Sequence, residues 1–252
     1  MTIQYCSDLH LEFPANKKYL KANPLKPEGE VLLLGGDIIP FTEMDKETDF
    51  FDFAADHFEQ TYWIPGNHEY YGSDIHPRSG VVNEGIRSNV SLLNNYTIHY
   101  KDVRLICSTL WSKISPLKER IIKLGMADFH LIKNNGKKIS IMDYNFLHDA
   151  CKKFIASELQ SKTEQKTVVV THHIPTFLNY PEKYSDSDLN EAFAVELFDL
   201  IEPSNVDYWL FGHSHEVVSD FKIGHTTLTT NQLGYVDYDE HLNFQKNKTF
   251  MV

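Results

Sequence analysis

The stretch Val31-Leu32-Leu33-Leu34-Gly35-Gly36-Asp37 decides the fold of this chain. Four consecutive apolar residues give an extended segment two apolar faces, the pattern of a central strand covered on both sides. Two glycines then end the strand, and the next residue is a carboxylate. Moving outward, the same order recurs. Residues 3–7 read as a strand that stops at Asp8-Leu9-His10, and residues 61–64 as one that stops at Pro65-Gly66-Asn67-His68-Glu69. In the second half, residues 103–109 form another apolar run. Residues 167–170 lead into Thr171-His172-His173, and residues 208–211 into Gly212-His213-Ser214-His215. Five times a hydrophobic strand is followed by Asp, Asn or His. Side chains at the ends of neighbouring strands converge on one rim of a sheet, so these residues are expected to meet.

Between the strands, residues 50–58 and 191–201 carry helical apolar spacing. Residues 143–159 read as an amphipathic helix with Asp143 as its N-cap. Residues 217–221 and 226–230 suggest a closing hairpin around Ile223-Gly224. No repeat, low-complexity tract or Pro/Gly/Ser linker divides the 252 residues, so one domain over 1–252 is expected.

With 42% hydrophobic and 23% charged residues the chain can bury a large core without covalent staples. Its formal net charge of -11 argues against a binder of long nucleic acid, which needs a basic surface to displace counterions. The same charge argues against an anionic membrane surface. A small phosphorylated substrate stays open, because bound divalent cations would invert the local field. Cys6, Cys107 and Cys151 form no Cys-x-x-Cys pair, which fits a reducing compartment. The N-terminus shows no basic and apolar leader, and no run is long enough to span a bilayer. A cytoplasmic location is the expectation.

Asp8, His10, Asp37, Asn67, His172, His213 and His215 offer oxygen and imidazole nitrogen but no thiolate. Such a set suits Mn, Fe or Zn better than a soft thiolate site or an all-oxygen calcium cage. Asp8 and His10 are two residues apart, as are His213 and His215, so in an extended segment each pair would point one way. Seven donors exceed the need of one tetrahedral ion, and two divalent metal ions sharing a carboxylate would use them. Two ions ~3.5–4 Å apart form a clamp for in-line displacement at phosphorus. They lower the pKa of a bound water and neutralise charge on the phosphoryl oxygens. Gly35-Gly36 would let the backbone turn tightly beside the bridging carboxylate. Singly, each motif is weak. An Asn in a loop ordinarily caps a turn, and histidines outside the motifs, such as His57 and His225, read as surface or packing residues.

The ordered set Asp-x-His, Gly-Gly-Asp, Gly-Asn-His-Glu, a His after a strand and Gly-His-x-His, from Asp8 to His215, resembles the calcineurin-like metallophosphoesterase family. The resemblance implies a metal-dependent hydrolase of a phosphomonoester or phosphodiester, in which a metal-bridged hydroxide attacks phosphorus in line. It also implies an α/β fold, a four-layer α/β/β/α sandwich of two mixed sheets flanked by helices, with the metals where both sheets end. Asp8, His10 and His215 would hold one ion, Asn67, His172 and His213 the other, and Asp37 both. His68 would be the catalytic histidine, with Glu69 orienting it by a hydrogen bond. His173, beside a ligand, would stand at the pocket wall. Asn231-Gln232-Leu233-Gly234-Tyr235 resembles the Asn-Pro-Arg-Gly-Tyr of some bacterial members but departs at Gln232 and Leu233, so no role of that arginine carries over.

A non-catalytic scaffold on the same fold would be expected to have lost a ligand or the histidine, and none is substituted. A one-metal hydrolase of a non-phosphate bond is disfavoured by the seven donors, though fold alone does not fix chemistry. Residues 111–140 interrupt the strand pattern and are locally basic, with Lys113, Lys118, Arg120 and Lys123 among their cations. Trp111, Phe129 and His130 add rings that could stack on a base. Two readings stand: a cap that draws anionic substrate to the rim, or a solvated excursion.

Overall fold

The computed structural model describes residues 1–161 and 163–252. Its first half runs β1 (Thr2–Cys6), α1 (Pro14–Ala22), β2 (Val31–Leu34), α2 (Thr48–His57), β3 (Gln60–Trp63), β4 (Val82–Arg87) and β5 (Val90–Asn94). Next come β6 (Tyr96–Tyr100), β7 (Val103–Ser108), α3 (Glu119–Gly125), α4 (Asp128–Leu131) and a two-stranded ribbon of β8 (Lys133–Asn134) and β9 (Lys137–Lys138). The chain ends with α5 (Ile141–Gln160), β10 (Lys166–Thr171), α6 (Phe198–Ile201), β11 (Tyr208–Leu210), β12 (Phe221–Ile223), β13 (Thr226–Thr229) and β14 (Thr249–Met251).

The strands form two six-stranded sheets, ordered β14-β1-β2-β3-β5-β4 and β12-β13-β11-β10-β7-β6. In the first, β1, β2, β3 and β5 are parallel and both edge strands antiparallel. The second repeats the arrangement around β13, β11, β10 and β7.

Alternation along the strands explains the layers. On β2, Val31 and Leu33 face inward and meet Leu105, Val168 and Leu210 of the other sheet. Leu32 and Leu34 face outward and pack with Leu20 of α1 and Phe51 and Ala54 of α2. On the second sheet, Ile106, Val169 and Trp209 pack with Tyr144, Cys151 and Ile155 of α5. β2, β10 and β11 are therefore apolar on both faces, and the order helix, sheet, sheet, helix follows. Removing one such side chain, as in Leu33→Ala, leaves a cavity that costs about 2–5 kcal/mol.

Three expectations shift. Asp143 is not the N-cap of α5: Ser140 is, its hydroxyl accepting from the Asp143 N–H at 3.1 Å while the Asp143 carboxylate accepts from the Ser140 N–H at 2.9 Å. That is a reciprocal capping box, with Asp143 three residues inside. Residues 191–201 are not one helix, and only Phe198–Ile201 is α-helical. There the Glu196 carboxylate accepts from Thr176 Oγ1 and from the N–H groups of Phe177 and Phe198, and Ala194 bridges to Ile174, which holds the chain out of helical form. The hairpin exists, but its first strand is Phe221–Ile223 and not 217–221. Among the described residues no helix is long and apolar enough to cross a membrane.

Candidate metal centre and active site

The loops after β1, β2, β3, β10 and β11 meet at one rim, where both sheets end. Asp8, His10, Asp37, His213 and His215 there have φ of 55°, 47°, 54°, 76° and 53°. A non-glycine residue in this left-handed region costs about 1–2 kcal/mol, and such residues cluster where function requires them. This conformation, not the extended alternation expected, turns Asp8 and His10 to the same point. Backbone bonds lock the loops together: the Asp8 N–H donates to the Gly36 carbonyl at 2.9 Å and the His10 N–H to the Asp37 carbonyl at 3.0 Å. The His213 N–H donates to Asp8 Oδ1 at 3.0 Å, which joins the two sheets. Glycine is required at both turns that pack on His172. A Cβ on Gly36 (φ 92°) would overlap the His172 ring, and one on Gly66 would lie 2.6 Å from His172 Nε2.

Two donor sets converge, Asp8, His10, Asp37 and His215 in one and Asp37, His172 and His213 in the other, each with ligand atoms within 4.8 Å of one another. Their tautomers follow from the bonds on the opposite ring nitrogens, which is how such protons are assigned. His10 Nδ1 donates to Glu12 Oε1 at 3.1 Å and His215 Nδ1 to Glu240 Oε2 at 2.8 Å. Their Nε2 lone pairs then face each other at 3.0 Å. His172 Nδ1 donates to the Gly35 carbonyl at 2.9 Å, so its Nε2 presents a lone pair. That atom faces Asn67 Oδ1 at 3.2 Å, His213 Nδ1 at 3.1 Å and Asp37 Oδ2 at 3.3 Å. Asp37 Oδ2 is buried with no hydrogen-bond partner. A buried cluster of acceptors facing acceptors is unfavourable in the bare protein and suits a pair of cations.

Without a cation, protons relieve the cluster. Burial disfavours charge on His172, but the charge of Asp37 beside it, with help from Asp8 and Glu69, pushes its pKa up to about 10. Burial also opposes ionisation of Asp37, yet the charges of His172, His68 and His10 hold its carboxyl well below the usual range. Burial and neighbouring histidines push His10 and His213 down.

His68 follows β3 and stands just outside these sets. Its N–H donates to Asp37 Oδ1 at 2.9 Å, its Nδ1 donates to Glu12 Oε1 at 2.9 Å, and its Nε2 lies 3.3 Å from the Tyr235 hydroxyl. Burial works against its charge, while Asp37 and Glu12 raise its pKa above the ordinary histidine value. Glu69 does not orient His68. Its buried carboxylate accepts from the N–H groups of Asp37 (2.8 Å), Ile38 (2.7 Å) and Gly66 (2.6 Å) and from Trp63 Nε1 (3.1 Å), so it fixes the loops that carry Asp37 and Asn67. The orienting place belongs to Glu12, which sequence reasoning missed. Its signal was position: it is the third polar residue in Asp8-Leu9-His10-Leu11-Glu12.

Asp128 was also missed. It is buried and accepts from Asn67 Nδ2 at 2.9 Å and the Tyr71 hydroxyl at 2.7 Å, which turns Asn67 Oδ1 toward His172. His173 is not at the pocket wall. It is fully buried behind His213, with ring centres 4.3 Å apart, and its Nε2 bonds the Tyr144 hydroxyl. Burial, then His172, pushes its pKa well down, so it packs as a neutral ring. Gln232 accepts from the His215 N–H at 2.6 Å and donates to the Glu216 carbonyl at 2.9 Å, holding the loop after β11, while Leu233 is core.

A cavity of about 820 Å³ opens above the rim, with Asp37, Asn67, His68, His213 and His215 in its lining. Segment 111–140 contributes Met126, Ala127 and Leu131 to it. Trp111 and Phe129 cannot stack on a ligand, because both are buried in the core beneath α5. Lys113 pairs with Asp149 at 2.6 Å and Lys118 with Asp188 at 2.5 Å, and no lysine or arginine of the segment lines the cavity.

The family model described as Calcineurin-like phosphoesterase matches residues 1–217. Uncharacterized protein L509 of Acanthamoeba polyphaga mimivirus is 33% identical over 259 residues, spanning 92% of this chain and 91% of that protein. Among solved structures, a dimetal phosphatase from Danio rerio has a TM-score of 0.48 at 12% identity, over 92% of this chain and 87% of its own. The phosphopantetheinyl hydrolase of Mycobacterium tuberculosis has a TM-score of 0.69 at 16% identity, over 99% of this chain and 95% of its own, and so shares the fold. Two mixed sheets flanked by helices and a His/Asp rim fit the match along the chain, which belongs to the calcineurin-like phosphoesterase family.

Proposed function

We propose that this chain is a two-metal phosphoesterase that hydrolyses a small phosphomonoester or phosphodiester at the rim. The observation that carries the reading is the convergence of two sets of oxygen and imidazole ligand atoms on one shared carboxylate, Asp37. Asp8, His10 and His215 would hold one ion, and Asn67, His172 and His213 the other. Oxygen and nitrogen donors suit Mn, Fe or Zn. When bound, two such ions would supply hydroxide near neutral pH, placed for in-line attack at phosphorus, and neutralise the phosphoryl oxygens. The remaining work belongs to the protein. Glu12 fixes His68 through Nδ1, so Nε2 is the atom left to hold a proton for the leaving oxygen. The Tyr235 hydroxyl beside Nε2 keeps that ring in place.

Residues beyond 217 support one domain over 1–252, since β12, β13 and β14 complete both sheets and Gln232 and Tyr235 touch the rim. All three cysteines are free and buried, which supports a reducing, cytoplasmic setting.

The test pairs activity with metal content. Protein loaded with Mn²⁺ should cleave p-nitrophenyl phosphate or bis(p-nitrophenyl) phosphate, and His68→Ala should keep two ions while kcat falls by ~10²–10⁴. Metal loss in step with activity would move His68 into the ligand set. Cleavage of neither ester with Mn, Fe or Zn would overturn the proposal.

A further inference from the structure

Charge and surface differ between the floor of the cavity and its wall. Among the described residues lining it there is no lysine or arginine, and away from the metal ligands the charged groups are the carboxylates of Glu12, Glu43 and Glu240. Glu12 and Glu240 are tied to His68, His10 and His215. Glu43 sits on the loop after β2, lines the cavity and is partly exposed. Most of the remaining wall is apolar or aromatic, with Met126, Leu131, Leu189, Phe193, Tyr180 and Tyr184 outweighing the uncharged polar Thr42, Ser187, Asn190 and Ser214. Two phenol groups are already engaged, Tyr71 with Asp128 at 2.7 Å and Tyr180 with Asn190 at 3.0 Å, so these residues offer the cavity their rings and not their hydroxyls. Phe193 lies flat against His213, ring centres 4.6 Å apart, which continues the aromatic surface down to the rim.

We infer that the substrate is a phosphoester whose organic group is bulky, apolar or aromatic, and carries no second negative charge. The inference rests on the two-metal phosphoesterase reading for the floor and on the wall alone for the selectivity. The rim has cation sites for one phosphoryl group. A second phosphate or a carboxylate farther out would meet no cation, would lose water, and would face Glu43. An arene in the same place is favoured by the area that it buries against rings and aliphatic side chains. A volume of about 820 Å³ also exceeds what a phosphate with a small alcohol fills, and falls in the usual range for sites that enclose a sizeable organic ligand. Nucleoside polyphosphates, sugar bisphosphates and phosphorylated acidic peptides are selected against.

The test holds the leaving group constant. Mn²⁺-loaded enzyme is given p-nitrophenyl phenyl phosphate and p-nitrophenyl 4-carboxyphenyl phosphate, and binding of the non-hydrolysable diphenylphosphinate and its 4-carboxy derivative is measured by calorimetry. The uncharged member of each pair should be preferred by about tenfold, in kcat/KM and in Kd, the size of a small unscreened charge repulsion. Glu43→Lys, at a partly exposed loop position, should raise the ratio of kcat/KM for the carboxylated ester over the phenyl ester by about tenfold. Equal or better handling of the carboxylated pair, or no gain from Glu43→Lys, overturns the inference while the phosphoesterase reading stands. Selective binding of the phosphinates without cleavage of either ester overturns the phosphoesterase reading and leaves the wall's selectivity intact.

Discussion

Asp37 and Leu131 line the same cavity, yet the side chain of one is held by polar partners and that of the other stands half in solvent. Asp37 has its backbone in the left-handed region, its N–H on Glu69, one carboxylate oxygen on the His68 N–H and the other facing His172. Leu131 ends α4 and is 45% exposed. The rim therefore has one workable arrangement, while the wall can be resurfaced without moving a ligand. On the proposed function, chemistry would belong to the first region and choice of substrate to the second. Changes at the rim should cost turnover, and changes in the wall should move preference.

The largest break in that comparison is Asp37→Asn, which keeps the shape and removes the shared charge. We expect fewer than two ions per chain and a fall in kcat of at least about 10³, the upper range for losing one electrostatic contact in a reaction centre. Two retained ions with near-normal turnover would take Asp37 out of the bridge.

Glu12→Gln should be milder. A neutral amide in that place no longer favours the charged form of His68, whose pKa Glu12 raises by hydrogen bond and charge. The folded pKa then drops, so protonated His68 is lost at lower pH and the alkaline limb of kcat moves to lower pH. The expected fall in kcat is about tenfold, typical of a residue acting through its neighbour. An unmoved alkaline limb would reduce Glu12 to a positional role.

The smallest effect is expected from Lys118, Arg120 and Lys123 changed together to Gln. Lys118 is held by Asp188 at the surface and none of the three lines the cavity. KM should stay within about twofold at low and high salt. A raised KM that shrinks with added salt would restore an electrostatic cap over the rim.

How far the sequence could be read divides along the same line. The rim motifs were legible because Asp, Asn and His directly after apolar strands are unusual, and strand ends converge. The left-handed turns at Asp8 and His10 were not, because a two-residue spacing fits an extended segment equally well. Choosing between Glu12 and Glu69 required tertiary contacts: both are carboxylates near a motif, and only the fold shows which one meets four N–H donors. Asp128 was hidden for the same reason, with its partners Asn67 and Tyr71 far away in sequence. The wall was illegible because Met126, Leu189 and Phe193 look like any core residues. Conversely, Trp111 and Phe129 looked available for stacking and are buried, the usual fate of large rings.

Each donor set draws on both sheets. His215 reaches across to Asp8, His10 and Asp37, and His172 and His213 reach across to Asp37 and Asn67. In mechanical terms, two ions bound as proposed would act as rivets along one edge of a sandwich whose middle is already glued by Leu33, Val168 and their neighbours. Withdrawing the rivets leaves the glue. Without them, the loops after β1, β2, β10 and β11 would be held by their own hydrogen bonds alone and would be the first part of the sandwich to loosen, ahead of the strand centres.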